Sequence, residues 1–283
     1  MTDLEDLVDL DRHPIHDPGS GGYAHSLEAA RAGLRSTGCA VVSGLVRPEA
    51  VARMSREVVA MRPTTHYSTI AINPYFSEPD PDLPVDHPVN FLIERSSGFI
   101  PRDSFRPDSE IAVLWQSPEL RRFLADALEM AEIHPYADPL AGLTINVLDP
   151  GQQFSWHYDT NDIAVTVLLD EAESGGIFEY VPDIRTGSDE NYEGVALAQR
   201  DEHPDVISLE LRPGDMQVFR GRNSIHRVTR IAGAASRHAA IFAYTAQADV
   251  IGRLERTKQL FGRALPAHEQ AERERVRHDS LRD

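Results

Sequence analysis

Apolar residues in the second half of the chain come in short runs separated by turn residues, the spacing of strands rather than of amphipathic helices. Ile163-Ala164-Val165-Thr166-Val167-Leu168-Leu169 is rich in β-branched residues and short enough for a buried strand. Gly175-Gly176 breaks the chain, and Ile177 to Val181 resumes it. Val206 to Leu211 mixes apolar and polar positions, as a half-exposed strand does. Arg212-Pro213-Gly214-Asp215 is a turn, because proline presets φ and glycine accepts unusual backbone angles. Met216 to Arg220, Ser224 to Val228 and Arg237 to Tyr244 follow as strands, and Leu143 to Leu148 and Phe154 to Asp159 open the series. Eight short strands with turns between them predict a double-sheet jelly roll or barrel, so the fold class is mainly β with flanking helices.

The first half reads differently. Ser26 to Ser36 and Pro48 to Met61 are amphipathic helices flanking a strand at Cys39 to Val42. Glu110 to Glu132 is helical and broken near Ser117-Pro118. Residues 1–22 are polar, acidic and turn-rich, a partly ordered arm. Pro74 to Val89 is a proline- and acid-rich loop that, with Asn90 to Phe99, forms a candidate lid. Gly187 to Asp205 is a long acidic insertion that either shapes a cavity mouth or is simply solvated. Glu255 to Arg277 is charged, mostly helical and interrupted at Pro266. It packs on the barrel or mediates a homodimer. One catalytic domain is expected over residues 1–283: a helical and lid region at 1–135, the jelly-roll core at 136–250 and a helical tail at 251–283.

Composition narrows the partners. A net charge of −17 and a pI near 5.1 disfavour nucleic acid and anionic membranes, while a cationic small substrate would be attracted. The single Cys39 excludes an intramolecular disulfide and fits a reducing cytoplasm, and its strand-like surroundings point to packing rather than catalysis. Neither a signal-like start nor a long apolar span is present, so a cytoplasmic location is expected.

The chemistry sits in Trp156-His157-Tyr158-Asp159 and Ser224-Ile225-His226-Arg227-Val228, followed by Arg237. Two histidines and one carboxylate can occupy one face of an iron(II) ion and leave positions open for oxygen and a co-substrate. His203-Pro204-Asp205 has the same short pattern, but it lies in a polar stretch with room for only one hairpin before His226. Asp159 is far enough from His226 for several strands to wrap a barrel between them. In a regular strand, residues 237, 239, 241 and 243 share a face, which turns Arg237 inward with Ala239, Ile241 and Ala243, while Tyr158 points away from its neighbours. Trp156 reads as a packing residue. Thr166 and Asn146 lie on core strands and either bind a co-substrate or are satisfied polar groups of the sheet. Asn161 and Asp162 either orient the ligands or form an ordinary turn.

Several segments carry a family resemblance: Tyr136 to Gly142, Gly175 to Pro182, Arg212 to Asp215, Phe219 to Arg222, His226 to Thr229, and Arg253 to Arg263. With the His-x-Asp and distal His, they resemble the iron(II)/2-oxoglutarate-dependent oxygenases, and within them the bacterial halogenases and hydroxylases of free amino acids such as lysine. The resemblance implies a double-stranded β-helix (cupin-like) core, with Fe(II), 2-oxoglutarate and O2 as cofactors. It implies His157, Asp159 and His226 as metal ligands and Arg237 as the partner of the co-substrate's distal carboxylate, with Thr166 and Asn146 beside it. Relatives hold the substrate carboxylate with an arginine from the N-terminal region, which Arg95 matches by context. Asp138 is a candidate for a substrate ammonium, and Asn161 a further substrate contact.

Halogenases of this group replace the metal carboxylate with a small residue, whereas this chain keeps Asp159. Arg230 stands where many relatives carry proline, and no function follows from it alone. The reading is therefore a hydroxylase of a free amino acid or small derivative. The alternative is desaturation, cyclisation or hydroxylation of a carrier-bound or peptide substrate with the same cofactors. A non-catalytic metal-binding cupin-like module is the outsider, since it would not need Arg237.

Overall fold

A computed structural model describes residues 2–159, 163–274 and 281–282. All eight strands expected in the core are formed: β5 (Leu143–Leu148), β6 (Phe154–His157), β7 (Ile163–Asp170), β8 (Phe178–Val181), β9 (Ile207–Leu209), β10 (Met216–Phe219), β11 (Ile225–Val228) and β12 (Arg237–Thr245). Successive strands mostly alternate between two antiparallel sheets, which is the jelly-roll pattern. The order β10-β7-β12-β5 runs through the larger sheet and β6-β11-β8-β9 makes the smaller one. The fold is the double-stranded β-helix.

Four strands before the core extend the larger sheet to eight: β1 (Cys39–Val42), β2 (His66–Ile72), β3 (Ile93–Ile100) and the short β4 (His134–Pro135). This corrects the lid reading of the segment to Phe99. Only the loop before it is irregular, and β3 pairs with both β2 and β5. Its alternation was obscured because both faces carry polar residues.

The helices are α1 (Leu4–Leu7), α2 (Gly21–Thr37), α3 (Pro48–Met61), α4 (Glu110–Gln116), α5 (Pro118–Ala127), α6 (Tyr192–Gln199), α7 (Leu254–Phe261) and α8 (Pro266–Glu274). Helix α2 starts where the Ser20 hydroxyl accepts from the Tyr23 amide, and it stops at Gly38, whose φ of 67° suits glycine. Ser117 caps α5 and Pro118 occupies its first turn, so the expected break falls there, but the helix ends at Ala127 rather than at Glu132. The N-terminal arm is more ordered than its composition implied. Leu7, Val8 and Ile15 are fully buried in the core that α2 to α5 build against the outer face of the larger sheet. Within the acidic insertion, α6 was not anticipated. Asn191 caps it, and Val195 and Ala198 are buried against Trp156 and Tyr158. Among the described residues no helix is long and apolar enough to cross a membrane.

Between the two sheets lies a second core, containing Phe99, Phe154, Phe178, Phe219, Val228 and Phe261. Helix α7 closes one side of it. His157, Asp159, His226 and Arg237 line the cavity that this aromatic core leaves open.

Candidate active site

Pairing of β6 with β11 places His226 directly opposite His157. Two residues from distant parts of the sequence thus become cross-strand neighbours, with ring centres 4.1 Å apart. Each imidazole donates its Nδ1 proton to a main-chain carbonyl two residues earlier: His157 to Ser155 at 2.8 Å and His226 to Ser224 at 3.0 Å. Those bonds fix the tautomer and leave both Nε2 lone pairs for a metal. Burial, and then the neighbouring His226 and Arg256, hold the His157 imidazole well below the usual histidine range, so it stays neutral. Phe154 stacks on His157 at 3.8 Å, and Phe178 and Phe219 flank His226.

Asp159 completes the group just past the end of β6. Its Oδ1 lies 3.6 Å from Nε2 of His226, and one ligand atom from each of the three residues falls within 4.8 Å of the others. The main chain sets this position, because the Asp159 amide donates to the carbonyl of Gly221 at 3.1 Å. Gly221 is also the space the carboxylate occupies: a Cβ there would come within 1.9 Å of Asp159 Oδ2. Two imidazoles and one carboxylate, with the cavity side open, fit iron(II) by donor type and number. We expect Gly221→Ala to displace Asp159 and weaken iron(II) binding at least as much as loss of a supporting hydrogen bond does, roughly 10- to 100-fold. Calorimetric titration of the anaerobic protein with iron(II) measures this, and an affinity equal to the parent's would contradict it.

Arg237 sits at the start of β12, and Ala239, Ile241 and Ala243 line the cavity with it, as the strand alternation requires. The intervening Ala240, Phe242 and Tyr244 pack outward against the helices. Arg237 is 5% exposed, and burial lowers its pKa to about 10, still charged at neutral pH. No acidic side chain among the described residues pairs with it. Gly176 makes room for it, since a Cβ there would meet Arg237 Cδ at 3.0 Å. Asn146 and Thr166 line the same cavity, where Asn146 donates to the Gly98 carbonyl at 3.5 Å and the Thr166 hydroxyl to Gln217 Oε1 at 3.1 Å. An unpaired guanidinium beside neutral amide and hydroxyl groups is what a bound dicarboxylate requires.

Other expected contacts do not reach the cavity. Asp138 is fully buried and saturated: it accepts from the amides of Leu140, Ala141 and Gly252 and from Nε2 of His268 at 3.1 Å. It ties the C-terminal helices to the barrel, so no lone pair is left for a substrate ammonium. Arg95 is also fully buried but does not line the cavity, because Phe154 and α7 cover it. It donates to the Ser68 hydroxyl and to the Gln259 carbonyl of α7. Asn161 and Asp162 lie outside the described residues. Trp156 packs as expected, 1% exposed under the Arg227 guanidinium. Tyr158 turns away from the cavity into the cluster containing Tyr75 and Ile184. In the rival motif, the Asp205 amide bonds His203 Nδ1, a local turn.

Three residues in or beside the cavity were missed, Gln217 and Arg256 in its lining and Gly221 behind Asp159. Gln217 was legible as the position two before Phe219 on the same strand face. Gly221 lay in a segment that carried the resemblance and in the turn before the distal histidine. Arg256 lay in the tail segment that carried the resemblance, with nothing in its periodicity to assign it.

Comparison with known proteins agrees with this geometry. The family model of Halogenase D matches residues 94–261, more than half of the chain. No curated protein matches the chain. Among solved structures, an oxidoreductase of the 2OG-Fe(II) oxygenase family from Burkholderia pseudomallei superposes with a TM-score of 0.54 at 13% identity, over 78% of this chain and 91% of that one. The epimerase SnoN, in complex with Fe3+, α-ketoglutarate and nogalamycin RO, gives 0.55 at 13% identity, over 78% and 84%. The α-ketoglutarate-dependent carbocyclase SnoK from nogalamycin biosynthesis gives 0.52 at 13%, over 77% and 82%. At such identities the structures speak for the fold, and the family match speaks for the lineage. The chain belongs to the Halogenase D family.

Proposed function

We propose that this enzyme hydroxylates a small molecule, a free amino acid or a small derivative of one, and does not halogenate it. The observation that supports this reading is the seat of Asp159. Its carboxylate stands against His226 Nε2, fixed through its own amide and received by the gap at Gly221. A halide could reach that coordination position only by displacing a charged ligand that the fold holds in place. In this reading His157, Asp159 and His226 hold iron(II), and Arg237 grips the distal carboxylate of 2-oxoglutarate with Asn146 and Thr166 alongside. Iron(II) with 2-oxoglutarate and O2 supplies the oxidising power to break an unactivated C–H bond. The chain's own part is placement and dryness: Phe154, Phe178 and Phe219 surround the histidines, and α7 covers the cavity. The cover also favours a small substrate over a folded protein.

The experiment is a panel of amino acids incubated with iron(II), ascorbate and 2-oxoglutarate in concentrated chloride. Succinate and a mass gain of one oxygen are the expected products. A chlorinated main product would overturn the assignment. SnoN and SnoK, an epimerase and a carbocyclase, share the fold. A product that has lost two hydrogens, or none, would leave the iron site in place and shift the reading to desaturation, cyclisation or another outcome.

A further inference from the structure

Arg256, on the inner face of α7, lines both the central cavity and an adjoining one formed by Tyr75, Phe76, Tyr158 and Asp159. It is therefore placed where the metal site opens outward. Its guanidinium lies over the Phe76 ring, and its Nη1 is buried without a hydrogen-bond partner. Close by, the fully buried Arg95 leaves Nε and Nη1 unsatisfied as well. No acid among the described residues pairs with either. Burial, and then repulsion from Arg95, push Arg256 well below the usual arginine range, with Asp159 opposing the shift. Cations buried this way are costly unless something pairs with them. Arg237 also lines the central cavity, but it stands at the start of β12 and reaches a separate recess with Gly175 and Gly176.

We infer that Arg256 is the subsite for a carboxylate of the primary substrate, and that the rest of the substrate facing the metal is uncharged. The first half follows from an unpaired guanidinium exposed to the cavity and fitted for bidentate carboxylate recognition. Arg95 is a positioning residue: it reaches the Gln259 carbonyl, nearly one turn beyond Arg256, and so fixes α7. The second half follows from the walls. Phe99, Phe154, Ile241, Leu260 and Phe261 line the inner cavity, whose one carboxylate among the described residues is Asp159, already engaged in the metal group. A basic side chain reaching inward would lose its water and gain no free carboxylate among the described residues. Glu78 and Glu255 line the outer cavity with Arg256 and suit the α-ammonium of an amino acid whose neutral side chain points inward. Overall acidity, which suggested a cationic substrate, is not reproduced where the substrate would sit.

This inference rests on the small-molecule reading above but is tested without turnover. Thermal midpoints are measured anaerobically with iron(II) and 2-oxoglutarate, adding uncharged L-amino acids, their carboxamides, or L-lysine. At least one uncharged amino acid should raise the midpoint, while its carboxamide and lysine should not. In Arg256→Gln the affinity for that amino acid should fall on the order of thirty-fold or more, with 2-oxoglutarate affinity retained, and Arg256→Lys should restore part of the loss. The ligand-free midpoint of Arg256→Gln should not drop, since an unpaired buried cation has been removed. Overturning results are equal shifts from acid and carboxamide, a preference for lysine, no shift from any acid, or a loss of 2-oxoglutarate affinity instead. Oxygenated product from lysine would sink this inference while leaving the hydroxylase assignment standing.

Discussion

Replacing His226 or Asp159 by alanine should abolish succinate formation and weaken iron(II) binding by more than the roughly 10- to 100-fold that losing a supporting hydrogen bond costs. The reason is geometric. The three residues contribute ligand atoms within 4.8 Å of one another, and no other described His, Cys, Asp or Glu forms such a group. Neither loss has a substitute at hand. Asp159 is also the one carboxylate of the three, while the Nδ1 bonds of both imidazoles to carbonyls leave Nε2 as their ligand atom. His226→Ala removes a ring packed among Phe178, Phe219 and His157, so folding must be checked by circular dichroism alongside. Asp159→Ala removes a partly exposed side chain and should leave the fold intact. Calorimetry with iron(II) and a succinate assay read the result. Full succinate formation by folded His226→Ala would remove the metal assignment.

Arg237→Ala should raise the 2-oxoglutarate concentration needed for half-maximal turnover about thirty-fold or more, and the requirement for the primary substrate much less. Removing one partner of a charge-assisted pair in a desolvated site costs about 2–5 kcal/mol. Arg237 is buried, lowered to about 10 by that burial, and without an acidic partner among the described residues. Two consequences separate binding from structure. In the absence of co-substrate the alanine variant should be no less stable than the parent, because an uncompensated cation has gone. The rise in thermal midpoint that 2-oxoglutarate gives the parent should be lost in the variant. Arg237→Lys should recover only part of the loss, since an ammonium keeps the charge but cannot form the planar bidentate pair. An unchanged 2-oxoglutarate titration would move this role to another residue.

Much of the core was legible from local pattern. The eight strands from Leu143 to Thr245 announced themselves through β-branched runs and Gly- and Pro-bearing turns, because a strand buried on both faces needs nothing but apolar side chains and a place to turn. The inward face of β12 was equally plain, since alternation is a property of the extended backbone. Elements that draw stability from their neighbours were not. Strand β3 carries Glu94, Arg95, Ser96, Ser97 and Gly98 in its middle and exists because β2 and β5 hydrogen-bond it. Helix α6 sits in an acidic stretch and is held by burying Val195 and Ala198. Leu7, Val8 and Ile15 are too few to outweigh the polar residues of the N-terminal arm, yet all three are buried.

For the site, the sequence by itself determined the kinds of donor, their order along the chain and the strands that carry them: His157 and Asp159 flanking an outward Tyr158, then His226, then an inward Arg237. Charge and hydrogen-bonding capacity belong to the residue, so they survive into the fold unchanged. Only the tertiary structure decided which polar groups are spent and which are free. Asp138 met four donors and became a brace, whereas Arg256 Nη1 met no acceptor and Arg256 became a candidate substrate contact. Arg95 was cut off from the cavity by a phenyl ring. Gly221 acquired its importance from a carboxylate far away in the chain that needs the space of its missing Cβ. Satisfaction and steric room are properties of pairs brought together by long-range strand pairing, and no local pattern encodes them.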